Sequence, residues 1–108
     1  MTAKLVALYT TPDNPEAFDA AYFDTHLPLA EKMPGLQKVE LLKNMRNMMG
    51  GDAPYYMIAE LTFESMDALK AALKSPEGMA AGQNIMGFAG KLVTLLGAPV
   101  EEKTPALV

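Results

Sequence analysis

The chain contains no cysteine, a single histidine, no apolar run of membrane-spanning length and no cluster of lysines and arginines. Each absence removes a class of function. Without cysteine there are no disulfides, no thiol nucleophiles and no cysteine-ligated zinc or iron–sulfur sites. One histidine excludes a multi-histidine metal centre within one chain, so no metal site is expected. A bilayer span needs about 20 apolar residues, and residues 1–8 lack the long apolar core of a secretion signal. A cytoplasmic protein with no membrane partner is therefore expected. Thirteen acidic against nine basic residues leave a formal charge of −4, the wrong sign for a phosphate backbone, so nucleic acid is not an expected partner.

What is present suits one small domain, since half of the 108 residues are apolar and can supply one core. Residues 1–97 read as that domain and 98–108 as a C-terminal tail. Residues 3–10 are short, apolar and closed by Thr11-Pro12-Asp13, which predicts a buried strand and a turn. Asn14 is a helix cap, Pro15 suits the first helical position, and Glu16 complements the positive helix end. The helix that starts there runs to Met33-Pro34-Gly35, where glycine can take the left-handed conformation that ends a helix. Pro28 within it removes a donor and disfavours helical geometry at Leu27, so a kink is expected just after His26.

Residues 36–46 alternate as a second strand, residues 47–54 are turn-rich, and residues 55–63 read as a third strand completing an antiparallel hairpin. Ser65 caps a second helix, and Ser75-Pro76-Glu77 restarts it towards Phe88. Residues 91–96 form a last strand. The order βαββαβ predicts an α+β, ferredoxin-like fold: a four-stranded antiparallel sheet with both helices on one face. Val6, Leu8, Val39, Leu41, Ile58 and Val93 are the apolar residues expected on the bare face. Burying that face against a second copy predicts a homodimer. Nine methionines, three of them at Met45, Met48 and Met49, read either as fillers of a core or dimer seam or as an adaptable ligand surface.

The candidate site comes from the first helix. At 100° per residue Phe18, Tyr22, Thr25, His26, Leu29 and Met33 share the stripe that a helix buries against a sheet. His26 then faces the interior, where an imidazole with an unperturbed pKa of about 6.5 can accept or donate a proton or orient a ligand. Tyr22 lies one turn earlier and either presents its phenol to a ligand or pairs with His26. Tyr9, at a strand end, is a ligand contact or a structural tyrosine. Phe18 is core or an aromatic platform, and Phe88 is counted with the ligand contacts. Thr10, Thr25 and Asn84 are candidate orienters. Asp13, Asp19, Asp24 and Glu31 read as solvated charges. Arg46 and Asp52 flank the hairpin tip and either cap a pocket or belong to a mobile tip. Tyr55 and Tyr56 are expected on opposite faces.

Tyr9, Pro12, the run FDAAYFDTHLPLAEKMPGL from Phe18 to Leu36, and SPEGMAA from Ser75 to Ala81 together resemble the EthD family. The most specific part is Phe-x3-Tyr-x3-His-x-Pro-Leu, here Phe18, Tyr22, His26, Pro28 and Leu29, followed by Pro34-Gly35-Leu36. The resemblance covers residues 5–95 and implies a dimeric α+β barrel. Its name-giving member is associated with ether degradation, and relatives are often labelled reductases. No GxGxxG follows the first strand here, so no nicotinamide or flavin cofactor is expected. An aspartate commonly stands in this family where this chain has Asn84.

Two functions compete. In one, an enzyme without a bound cofactor uses His26 as general base, with Tyr22 or Tyr9 orienting an oxygen of a small apolar, aromatic, carbonyl or phenolic compound, leading to oxygenation or isomerisation. In the other, the same cavity only binds a small molecule or supports dimer packing. Haem ligation through His26 is a third reading.

Overall fold

The structure, a computed structural model, describes residues 1–106; residues 107 and 108 of the expected tail lie outside the described residues. The chain runs β1 (Ala3–Tyr9), α1 (Pro15–Ala20), a π-helical segment (Ala21–His26), α2 (Leu27–Ala30), β2 (Leu36–Lys43), β3 (Met57–Phe63), α3 (Met66–Lys74), α4 (Pro76–Ala89) and β4 (Val93–Pro99). The strands form one antiparallel sheet in the order β2-β3-β1-β4, and the helices lie on one face of it. None of these helices is long and apolar enough to cross a membrane.

The caps act where the residue types place them. Asn14 accepts from the Ala17 amide, Ser65 from Ala68 and Ser75 from Gly78. Ser75 serves two helices, because its hydroxyl also donates to the Ala72 carbonyl at the end of α3. Gly35 has a φ of +79°, which lets the chain turn from α2 into β2.

Three details differ from the sequence expectation. The first helix does not break after His26: Leu27 keeps helical backbone angles, and its amide donates to the Tyr22 carbonyl, five residues back. The irregularity lies upstream, as a six-residue π-helical segment ending on His26. Pro28 lacks the donor for an ordinary i→i−4 bond and crowds the carbonyl one turn earlier, and the wider winding relieves both. β4 also runs on to Pro99, because Gly97, Ala98 and Pro99 continue its pairing with Leu5, Lys4 and Ala3 of β1.

The third correction concerns the sheet faces. Ala3, Leu5, Ala7 and Tyr9 of β1 and Met57, Ala59, Leu61 and Phe63 of β3 are buried under the helices. Register places Val39 opposite Leu61, Leu41 opposite Ala59 and Val93 opposite Tyr9, so these three belong to the helix side. A bulge between Leu36 and Lys38 changes the parity of β2 and turns Leu36 to that side as well. The bare face carries Leu8, Ile58, Leu42, Val6 and Leu96 towards the hairpin end. At the other end it carries a charged group in which the Lys4 ammonium donates to Glu60 at 2.7 Å and Glu40 at 3.5 Å, with Lys38 at 3.4 Å from Glu40.

Candidate active site

Every second residue of β1 faces the helices, and that alternation puts Leu5, Ala7 and Tyr9 on the floor of a small cavity. Ala59 and Leu61 of β3 extend the floor. Tyr22, His26, Leu27 and Ala30 close one side, while Ala81, Gly82 and Ile85 of α4 close another. The cavity measures about 60 Å³, and its walls hold no Lys, Arg, Asp or Glu. The polar side chains in its wall are Tyr9, Tyr22 and His26. Leu73 and Leu95, the lining residues more than a third exposed, mark its mouth.

His26 is 7% exposed and is held by one protein hydrogen bond, 3.1 Å between its Nδ1 and Asn84 Oδ1. An amide oxygen only accepts, so Nδ1 carries the proton and Nε2 keeps the lone pair. Nε2 makes no hydrogen bond to another described residue. Burial lowers the His26 pKa below its ordinary 6.5, and the bond that Nδ1 donates to Asn84 offsets only part of that. The imidazole is therefore neutral and unprotonated at Nε2 at neutral pH, the state a general base needs.

The two cavity tyrosines are donors. Burial pushes the Tyr22 phenol up to about 12 and the Tyr9 phenol higher still, with Tyr22 adding to the latter effect. Neither hydroxyl pairs with a protein group among the described residues. The rings of Tyr22 and His26 lie 5.4 Å apart, centroid to centroid, and those of Tyr9 and Tyr22 lie 5.6 Å apart. Their contact is ring packing, with no hydrogen bond between Tyr22 and His26.

The remaining sequence candidates lie outside the cavity wall. Asn84 meets His26, and Phe88 packs its ring 5.9 Å from the imidazole, so both touch His26 while lying outside the cavity wall. Phe18 belongs to an aromatic cluster with Tyr9, Tyr22, Tyr56 and Phe88 at 5.3–6.0 Å and is core. Thr25 is exposed and Leu29 half-buried, neither in the cavity, because the π-helical winding departs from the 100° step that put them on the stripe. Thr10 bonds the Leu92 carbonyl, while Arg46 and Asp52 are exposed at the hairpin. Asp19 is not simply solvated: it accepts from the Tyr56 hydroxyl at 2.8 Å and ties the hairpin base to α1. Tyr55 and Tyr56 precede β3.

The residues that sequence reasoning left out are the apolar and small ones: Leu5, Ala7, Ala81, Gly82 and Ile85. Their signal was available, in the period-two pattern of β1 and the small residues one turn apart on α4. Among the described residues no group of three His, Asp or Glu side chains is placed to hold a metal. Haem does not fit either, since an apolar cavity of ~150 Å³ is filled by one benzene ring and this one is less than half as large.

A sheet of this order, backed by helices over an apolar chamber, makes the protein an α+β domain of ferredoxin-like fold. Within that class the chain belongs to the EthD family, whose domain model matches residues 12–91. It is 31% identical over 102 residues to an uncharacterised 11.0 kDa protein of the thcB–thcC intergenic region of Rhodococcus erythropolis, covering 94% of this chain and 98% of that protein. A crystal structure of an EthD family protein from Bacillus halodurans is 38% identical, with a TM-score of 0.88 over 94% of this chain and 100% of that one.

The same fold extends to distant proteins. A hydroxynitrile lyase from Passiflora edulis matches at 14% identity and TM-score 0.72, covering 96% of this chain and 97% of that one. SnoaB, a cofactor-independent oxygenase from Streptomyces nogalater, matches at 17% and 0.63 over 96% and 95%. A dimeric protein of unknown function from Bacteroides fragilis matches at 17% and 0.62 over 92% and 96%.

Proposed function

We propose that this EthD-family protein is a homodimeric, cofactor-independent enzyme that removes a proton from a small, largely apolar carbonyl or phenolic compound, with His26 as general base. The observation that carries the reading is the state of His26: buried, neutral, anchored at Nδ1 by Asn84, and free at Nε2 beside a cavity. A histidine kept only for structure commonly spends both ring nitrogens on protein partners. Proton transfer to Nε2 leaves an imidazolium and a substrate oxyanion or enolate. The Tyr9 and Tyr22 hydroxyls are the donors available to that anion. Reprotonation at another atom completes an isomerisation, whereas oxygenation uses dioxygen as co-substrate. SnoaB, described as a cofactor-independent oxygenase, and the Passiflora hydroxynitrile lyase are enzymes with this fold, which supports the enzymatic reading.

The dimer rests on the bare sheet face and on shape. The chain measures 48 × 41 × 19 Å with a radius of gyration of 15.1 Å, against ~13 Å for a compact domain of about 100 residues. A slab whose bare face is apolar over the half nearest the hairpin is completed by a second copy, and the dimeric protein of the same fold from Bacteroides fragilis supports this.

The catalytic reading is tested without knowing the natural substrate, by following deuterium exchange at the α-carbon of small ketones and lactones in heavy water. Wild-type protein is expected to accelerate exchange on at least one class, and His26→Gln to lose about 10²–10⁴-fold of that acceleration. Equal exchange in the two proteins would leave a binding protein as the correct description.

A further inference from the structure

We infer that the cavity takes a substrate head first: a compact, uncharged, oxygen-bearing group such as a methyl ketone enters between Tyr9, Tyr22 and His26, while any ring or chain stays at the mouth by Leu73 and Leu95. This rests on the proposed role of the cavity as the ligand site, and it narrows the ligand class in two ways.

The first is charge. The wall holds no cationic side chain, and its imidazole is neutral. A carboxylate or phosphate entering it would lose its hydration shell and gain at most two phenol donors, which does not compensate for burying a full charge. A carbonyl oxygen loses far less on leaving water and is well matched to the same donors, because both hydroxyls lack a protein partner. An acidic C–H or O–H on the same head then lies beside an imidazole whose Nε2 has no other partner.

The second is size. A volume of about 60 Å³ is well below the ~150 Å³ in which benzene sits, so an aromatic ring does not enter as the chamber stands. The way out is apolar and open: Leu73 is 39% and Leu95 46% exposed, although both sit on the helix side of the sheet. An apolar tail held there covers side chains that otherwise face water. Gly82 keeps the chamber open on the α4 side. A Cβ added to it meets nothing within 4 Å, so a larger side chain at this position fills space without straining the backbone.

A matched pair of probes tests this. In 4-phenylbutan-2-one and 3-phenylpropanoate a methyl ketone and a carboxylate of nearly equal size end the same tail, and in acetophenone the ring adjoins the carbonyl directly. Each is titrated into the wild-type protein while the His26 ring protons are followed by NMR, unambiguous in a chain with one histidine. The expected order is 4-phenylbutan-2-one bound at least about tenfold more tightly than either of the others. Tyr22→Phe is expected to weaken the ketone about fivefold or more, and Gly82→Leu to abolish the His26 shift with circular dichroism unchanged. Gly82→Ala serves as the milder block if the leucine variant does not fold. Carboxylate or acetophenone binding as tight as the long-tailed ketone, or no ketone shift at all, would overturn the inference. If the ketone binds as expected but exchange is not accelerated, the catalytic reading alone fails and the head-first site stands.

Discussion

Asn84 carries no charge, and that sets how basic His26 can be. A carboxylate at the same position would favour the imidazolium, so Asn84→Asp is expected to raise the His26 pKa by about one unit or more. Titration of the ring protons checks it, and an unchanged midpoint would mean that the 3.1 Å bond is not made in solution. The native shift also links stability to pH. Unfolded chain takes up a proton at His26 near pH 6.5, whereas the folded pKa is lower because burial disfavours the charged ring. Between the two values the unfolded state binds more protons, so stability present above about pH 6.5 is lost as pH falls through the folded pKa. His26→Gln should flatten this part of the profile, read as the difference between wild-type and variant urea midpoints at pH 7.5 and 5. Differencing is needed because carboxylates such as Glu40, held below its ordinary range by Lys38 and Lys4, add their own dependence. Thr62 makes an independent residue-scale case. Its buried hydroxyl has no partner, so Thr62→Val is expected to stabilise by about 1 kcal/mol in thermal unfolding; a loss of that size would reveal a partner for the hydroxyl in solution.

At the scale of elements, the junction between α3 and α4 decides whether α4 reaches the cavity. Ser75 ends one helix and starts the next with a single hydroxyl, so Ser75→Ala removes two end contacts and is expected to cost about 1–2 kcal/mol. One turn later Gly78 passes so close to α3 that an added Cβ would collide with the Ala72 carbonyl. Gly78→Ala should therefore destabilise by about 1–3 kcal/mol, while Gly82→Ala, open around its Cβ, should gain about 0.5–1 kcal/mol from helix propensity. Opposite signs for the same chemical change would confirm that the helix approach sits at Gly78 alone. The π-helical segment is the matching device on the other wall. It accommodates Pro28 without a break, so Tyr22 and His26 stay on the buried side while Thr25 moves to solvent.

At the scale of the whole molecule, the two sheet faces should respond differently to the same insult. Ile58→Glu places a charge on the bare face and is expected to give a folded monomer by sedimentation, where the wild type is expected to sediment as a dimer at micromolar concentration. Leu41→Glu places it under the helices and is expected to unfold the chain, because the carboxylate has no partner there. Wild-type protein that is monomeric throughout would remove the dimer, while the helix-side prediction would stand.

Element order, the caps at Asn14, Ser65 and Ser75, the ferredoxin-like class and the inward position of His26 and Tyr22 are legible in the amino-acid sequence. Each depends on a residue and neighbours within a turn or two, where hydrogen bonding and periodicity act. Which side of the sheet Val39, Leu41 and Val93 occupy depended on register, which sets them opposite Leu61, Ala59 and Tyr9, and a bulge between Leu36 and Lys38 brings Leu36 to the same side. That Asn84 reaches His26 was decided by packing across 58 positions of chain, for which no local pattern exists. The cavity was decided there too. Its volume is what the alanines and glycines of α4 and β1 leave unfilled once the two layers are in contact, a property of the assembled walls rather than of any segment.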